Sequence, residues 1–477
     1  MAVGGTRAAD PEGGAVVALT AGTARATITP PLGIPLSGFV GRGVASDVHD
    51  HLTATALVLA DDGDAGDTRH AVVALDLIGL YSDELVAALK HAVHAVTGIG
   101  PERVFLACSH THYGPVVAEA GDMPGGRHPL TVEYRRHLAA AVAECVLAAD
   151  DARVAVRVRA GRADVRLGVN RRLPQPDGSV AIAPNPAGHV DPELVAVAFD
   201  AVSDGMPRGS AVATLVSYAC HPSSLESSVR SLTADFPGVL RDELERSSGG
   251  RVLFLQGAAG DIDPPDKRAD WSRPRETGVT LAAAAGALLR DAAAVADAPL
   301  RSRRVRVPLP RRGAASVAEA EADVSRCRAD VKRGRADDTT AGAGDMRARA
   351  GAAAEPELES AVWWRELHLA EAEAVLDAWR AGREPTIEAD VSALRIGDVG
   401  VAFVPAELFS ELGVAIKRRS RAAVTLVVGY TDGALWYVPP RHAFTEGGYE
   451  VVDACRVAPG AGEALVDRVV ELLNELF

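Results

Sequence analysis

The chain has no Cys-x-x-Cys pair, no apolar run of bilayer length and no excess of basic charge. Its five cysteines, Cys108, Cys145, Cys220, Cys327 and Cys455, are scattered and odd in number. They suggest neither a disulfide framework nor a cysteine zinc knuckle. No stretch approaches the roughly 18 consecutive apolar residues of a membrane span. With 64 acidic against 50 basic residues the net charge is -14. Such a surface repels polyanions, so no nucleic-acid partner is expected. The first residues lack a basic segment followed by an apolar one. No signal peptide is visible there, and a soluble, cytoplasmic protein is expected. No internal repeat is evident.

What is present is a chain of 477 residues, 48% hydrophobic, long enough to bury a large core. Residues 1–15 lack periodicity and read as a disordered tail. Beyond them, short apolar runs alternate with helical patterns. Strands are expected at 55–60, 70–77, 103–108, 195–199, 212–220 and 251–257, and helices at 83–96, 131–149, 236–247 and 276–295. This alternation predicts an α/β fold, a mixed β-sheet core flanked by helices.

Between 313 and 383 the pattern changes. Val317, Ala320, Val324, Cys327 and Val331 keep an a/d spacing, as do Val362, Leu369, Ala372, Leu376 and Trp379. A polar, Gly-rich link separates the two sets. The expectation is a helical hairpin inserted into one catalytic domain spanning 16–477; it reads as a lid, a surface excursion or an oligomer contact. Strands resume at 392–405 and 423–429, with helices at about 407–419 and 460–477.

Chemistry-bearing residues sit where apolar runs end. "LACSHTHYGP" places His110 and His112 one residue apart after a strand; on a pleated strand such a pair shares one face. Histidine is the commonest metal ligand, and the pair suits zinc. "SYACHPSS" sets His221 after another strand, "AFVPAELF" does the same for Glu407, and "DGALWYVPP" puts Tyr437 before two prolines. Each also has an ordinary structural reading: a hydrogen-bonded histidine, a helix-start carboxylate, a loop aromatic. "QGAAGDIDP" follows a strand without GK[ST], so it is no phosphate loop; amides around Gly260 are placed to polarise an acyl oxygen. Asp261 and Asp263 there also suit turn chemistry.

Seven segments occur in order: "AGTARATITPPLGIPLSGFVGR", "CSHTHYGP", "LGVNRR", "VDPELVAVAF", "ACHPSS", "QGAAGDIDP" and "VPAELF". Together they resemble the catalytic domain of the neutral/alkaline non-lysosomal ceramidase family, from about residue 20 to 310 and again from about 392 to 450. The resemblance implies a zinc-dependent hydrolase of the amide bond of an N-acyl, lipid-like substrate. It implies His110, His221, Glu407 and Tyr437 as zinc ligands, with His112 as proton donor to the leaving amine. It places Arg171 and Asp263 near the reacting centre, and Asp235, Gly260 and Asp261 among substrate-binding candidates.

The chain departs from the family in carrying Asp263 where ceramidases have a serine, and in lacking their signal peptide and β-sandwich domain. The acyl and amine portions are therefore open. So are amide formation or acyl transfer by the same machinery, a non-catalytic binding homologue, and a homo-oligomer. A Cys220–His221 nucleophile is disfavoured, because adjacent strand residues point to opposite faces.

Overall fold

The computed structural model describes residues 19–39, 41–61, 68–119, 123–202, 211–295, 300–340 and 354–477. The expected tail, 1–15, lies outside them, as do residues 341–353 of the polar link.

The large sheet has eight strands in the order Arg251–Gln256, Ala211–Tyr218, Glu193–Ala201, Val154–Asp164, Leu19–Thr27, Thr53–Asp61, His70–Leu75 and Val104–Cys108. Its two outermost pairs are parallel and the pairs between are antiparallel. This is the mixed sheet that the pattern of apolar runs predicts. Near-continuous apolar runs arise because both faces are covered. Along Thr53–Asp61, Ala54, Ala56 and Val58 enter one core, while Leu57 and Leu59 point into another.

On the first face lie the helices Asp83–Thr97 and Pro129–Asp151, joined further along the sheet by Asp235–Ser248 and Ser272–Asp291. The helix at 83 starts where Ser82 accepts from the Leu85 amide at 3.2 Å. It stops at Gly98, whose left-handed backbone closes the last turn. On the second face lies a smaller sheet of Arg301–Pro310, Thr386–Ile396, Val399–Phe403 and Val424–Val428. Phe105 of the large sheet stacks on Phe403 of the small one, centroids 4.5 Å apart, inside a fully buried core. Truncating either ring to alanine costs about 3–5 kcal/mol. The helices Ser410–Arg419 and Ala461–Asn474 cover the outside of the small sheet. The result is four layers: helices, large sheet, small sheet, helices.

Several expectations shift. The helix expected from 407 begins at Ser410, because Glu407–Leu408 pairs in parallel with Tyr437–Val438. Strand Val154–Asp164 was not expected; its alternate arginines mask the period. The inserted segment forms two long helices, Val317–Thr340 and Ala354–Arg380. Ala320, Val324, Val375 and Leu376 make a small core between them. No helix among the described residues is long and apolar enough to cross a membrane.

Candidate metal centre

Loops leaving the strand ends are stitched together before they turn. Cys108 donates its amide to the Tyr430 carbonyl at 3.1 Å, and Asp432 donates to that of Leu106 at 3.0 Å. The Asp432 carboxylate takes Lys90 at 2.6 Å in a buried ion pair. This clamps the segment after the small sheet onto the edge strand of the large one.

His110 follows that edge strand, but it is not on the pleat. Its backbone is left-handed (φ 65°), and its amide donates to the Leu77 carbonyl at 2.9 Å. His110 and His112 thus converge through a turn, not through the two-residue alternation of a strand, which ends at Cys108. Among the described residues, five non-glycines have positive φ: His110, Asp235, Tyr430, Asp432 and Trp436. Such backbone costs on the order of 1–3 kcal/mol each and persists where surrounding structure dictates it.

Three imidazoles meet. The ring centroids of His110 and His221 are 4.8 Å apart, those of His110 and His112 5.0 Å, and those of His112 and His221 5.4 Å. A ligand nitrogen of each lies within 4.8 Å of the others. His110 Nδ1 is 2.6 Å from the Ile78 carbonyl, and His221 Nδ1 is 3.1 Å from that of Ile262. A carbonyl only accepts, so both Nδ1 atoms carry the proton and both Nε2 atoms carry the lone pair, that of His221 lying within reach of Arg171 Nη1. Glu407 Oε2 sits 3.5 Å from each of those Nε2 atoms. Burial pushes the His221 and His112 pKa values down, aided at His221 by Arg171 and at His112 by the other two histidines. Burial opposes ionisation of Glu407, yet the facing imidazoles hold its carboxyl well below the usual range.

These residues fit a divalent cation. Glu407 Oε2 and both ring nitrogens of His112 are buried without a hydrogen-bond partner, a costly arrangement in a packed interior. The Nδ1 bonds of the other two imidazoles are of the kind that orient ligating histidines. A neutral, soft–hard mixed set of nitrogens and one carboxylate suits zinc.

Tyr437 joins through its strand, directly opposite Glu407. Its hydroxyl accepts from Arg171 Nη2 at 2.8 Å. Arg171 also meets Glu450 at 2.8 Å and Asp263 at 3.1 Å, and Nη1 lies 3.5 Å from His221 Nε2. Asp263 pairs on its other side with Lys267 at 3.1 Å. Burial alone would raise that carboxyl; Arg171 and Lys267 overcome it and hold it below the usual range.

The remaining sequence candidates lie elsewhere. Asp235 accepts from the amides of Ser224 (2.8 Å) and Phe236 (2.5 Å), and burial lifts its pKa to about 6. Asp261 accepts from the Ser410 amide at 2.7 Å and from Asn170 at 2.9 Å. The Gly260 amide donates to the Leu408 carbonyl, so it is not free to polarise an acyl oxygen. Cys220 meets only the backbone oxygen of His221, at 3.8 Å, and burial raises its thiol pKa far above normal; no nucleophilic pair forms.

A cavity of about 610 Å³ opens over His110, His112, Glu407 and Tyr437. The sequence reading missed much of its lining: Tyr81, Trp436 and Tyr449 from the loops, Trp363 and Trp364 from the inserted helices. It also missed Glu450, which takes both Arg171 and Arg172; nothing in the local pattern "GGYEVV" marks it.

No family model matches the sequence, and no curated protein matches it. Among solved structures, neutral ceramidase from Pseudomonas aeruginosa is similar, with a TM-score of 0.71 and 19% identity over 96% of this chain and 74% of that one. A structure of ceramidase complexed with C2 gives a TM-score of 0.70 and 19% identity, over 96% of this chain and 75% of the other. The two share this fold.

Proposed function

We propose that the chain is a divergent, ceramidase-like zinc amidohydrolase acting on an N-acyl amide, with residues 16–477 as one catalytic unit. The observation that carries this reading is the meeting of His110, His112 and Glu407, which line an apolar cavity, with His221 buried behind them. His110, His221, Glu407 and Tyr437 would hold the metal. Bound there, zinc supplies Lewis acidity toward the acyl oxygen and brings the pKa of a water near neutrality.

The chain's own groups do the rest. Carbonyls of Ile78 and Ile262 fix the two ligand imidazoles in one tautomer. Arg171, buried and surrounded by Tyr437, Asp263 and Glu450, stays protonated and offers positive charge where an oxyanion develops. His112 is neutral and has both ring nitrogens unpartnered, so it can accept a proton and deliver it to the departing nitrogen. In the balance of the reaction the C–N bond breaks, the acyl carbon gains the water oxygen and the amine leaves protonated. Aromatic side chains of the cavity exclude bulk water from these steps.

The test is metal content and amidase activity of purified protein against a series of N-acyl amines. Stoichiometric zinc, with loss of both metal and turnover in His110→Ala, is the expected result. Protein free of divalent metal, or a His110→Ala variant as active as the parent, sinks the proposal.

A further inference from the structure

Among the described residues, Arg42 is a buried cation in the cavity wall with no carboxylate paired to it. Arg42 sits between Gly41 and Gly43, whose backbones have φ of 73° and 85°, a turn that glycine makes at little cost. Its guanidinium lies 4.5 Å from the ring centroid of Tyr113 and 5.4 Å from that of Phe39. Nη1 donates to the His112 and Ser37 carbonyls and Nη2 to the Val229 carbonyl, while Nε is buried with no partner. Arg42 is 9% exposed, and no carboxylate among the described residues pairs with it. Carbonyl oxygens satisfy hydrogens without cancelling a full charge, and buried charges in proteins are normally paired. Consistently, burial lowers the Arg42 pKa to about 10.

The lining is asymmetric in the same sense. Arg42 borders the cavity beside Phe39 and His112, and Arg127 also lines it, whereas Trp363, Trp364 and Trp436 border it in one mutually packed cluster. Among the described residues, Glu407 is the one carboxylate in the lining, and it faces the imidazoles. Size also bears on the occupant. At roughly 30 Å³ for a water- or methylene-sized group, the 610 Å³ cavity is large enough for one acyl chain and a small amine.

Resting on the amidohydrolase reading, we propose that the substrate is a single-chain N-acyl amine whose amine half carries an anionic group. Arg42 binds that anion beside His112, and the acyl chain lies against Trp363 and Trp364. The proton donor to the leaving nitrogen and the anchor of the leaving group are then neighbours, which fixes the orientation of the amide across the ligand cluster.

Three amides of one chain length test this: N-dodecanoylglycine, N-dodecanoylphosphoethanolamine and the neutral N-dodecanoylethanolamine. Binding to chelator-stripped protein is read by tryptophan fluorescence, and kcat/KM on the zinc-loaded enzyme. Tighter binding of either anion than of the neutral amide, by about 10–100-fold and weakened by salt, is the expected result; which anion leads separates carboxylate from phosphate. Arg42→Gln removes the preference for the anionic over the neutral amide, while Arg42→Lys retains part of it. Equal binding of all three by the parent overturns the proposal, as does an equal loss for all three in Arg42→Gln, the signature of a purely structural clamp. If all three are hydrolysed alike, amidase activity stands and the anion site falls. If none is hydrolysed while the anions still bind preferentially, the reverse holds.

Discussion

The cavity has two walls of different origin. One is built from strand ends and the loops stitched to them: His110, Glu407 and Tyr437, backed by His221, Arg171, Glu450 and Asp263, all buried. The other is carried by the inserted helices. Those helices hold together through a small core and exposed ion pairs such as Arg328–Glu373 (2.7 Å) and Arg380–Glu321 (2.8 Å). Exposed pairs contribute about 0–1 kcal/mol each, whereas breaking a buried pair costs about 3–5 kcal/mol. Chemistry needs a fixed geometry, and the sheet wall supplies it. The helices contribute Trp363 and Trp364 to the other wall on weaker, more exposed contacts.

Substitutions can break this contrast. The largest effect is expected from Glu407→Gln: zinc retention fails and kcat/KM drops by about 10³ or more. Its metal-free form should also melt below the metal-free parent near neutrality, since the facing imidazoles hold the native carboxyl well below its ordinary value. Metal analysis with calorimetry on both forms measures the pair of effects. Glu450→Gln comes next, with about 3–5 kcal/mol lost in denaturant unfolding, because Arg171 and Arg172 are left buried without their shared carboxylate.

Asp263→Asn should show a smaller, pH-dependent loss. The native carboxyl titrates below its ordinary value, so its stabilisation is fully present above about pH 4, the unfolded value. It fades as the pH falls from there through the native pKa. Melting curves of parent and variant should therefore converge in acid and differ most near neutrality; a constant gap contradicts the pairing. On the other wall, Trp364→Ala should raise KM about tenfold for long-chain amides with kcat within about twofold, the pattern of lost uniform binding. A fall in kcat instead would mean that the helices help set the reacting geometry. Arg328→Ala should change stability by less than about 0.5 kcal/mol, and a larger change would show the helical wall to be as rigid as the sheet.

The same contrast explains what the sequence revealed. Apolar runs of five to nine residues marked most buried strands, since two covered faces leave little room for polar side chains. His110, His221 and Glu407 stood out because each follows such a run. Their convergence needed left-handed turns at His110 and Tyr430, and β-branched or aromatic character gives no sign of those. The a/d spacing of the inserted helices was legible, and Val324 and Leu376 do meet in their shared core. That Trp363 and Trp364 reach Trp436 was not, because such a contact depends on the angle at which two layers meet. Asp235 and Asp261 were candidates for substrate binding; both are buried acceptors for backbone amides.

The inserted helices leave the small sheet after Pro310 and return at Thr386, and these two residues face each other at the end of one antiparallel ladder. A tight turn of two residues would close that ladder as well. Because the ladder is paired up to Pro310 and Thr386, its register does not depend on the length of chain between them. On the proposed amidase reading, changes to that segment would reshape the wall carrying Trp363 and Trp364 while His110, His221 and Glu407 stay at their strand ends.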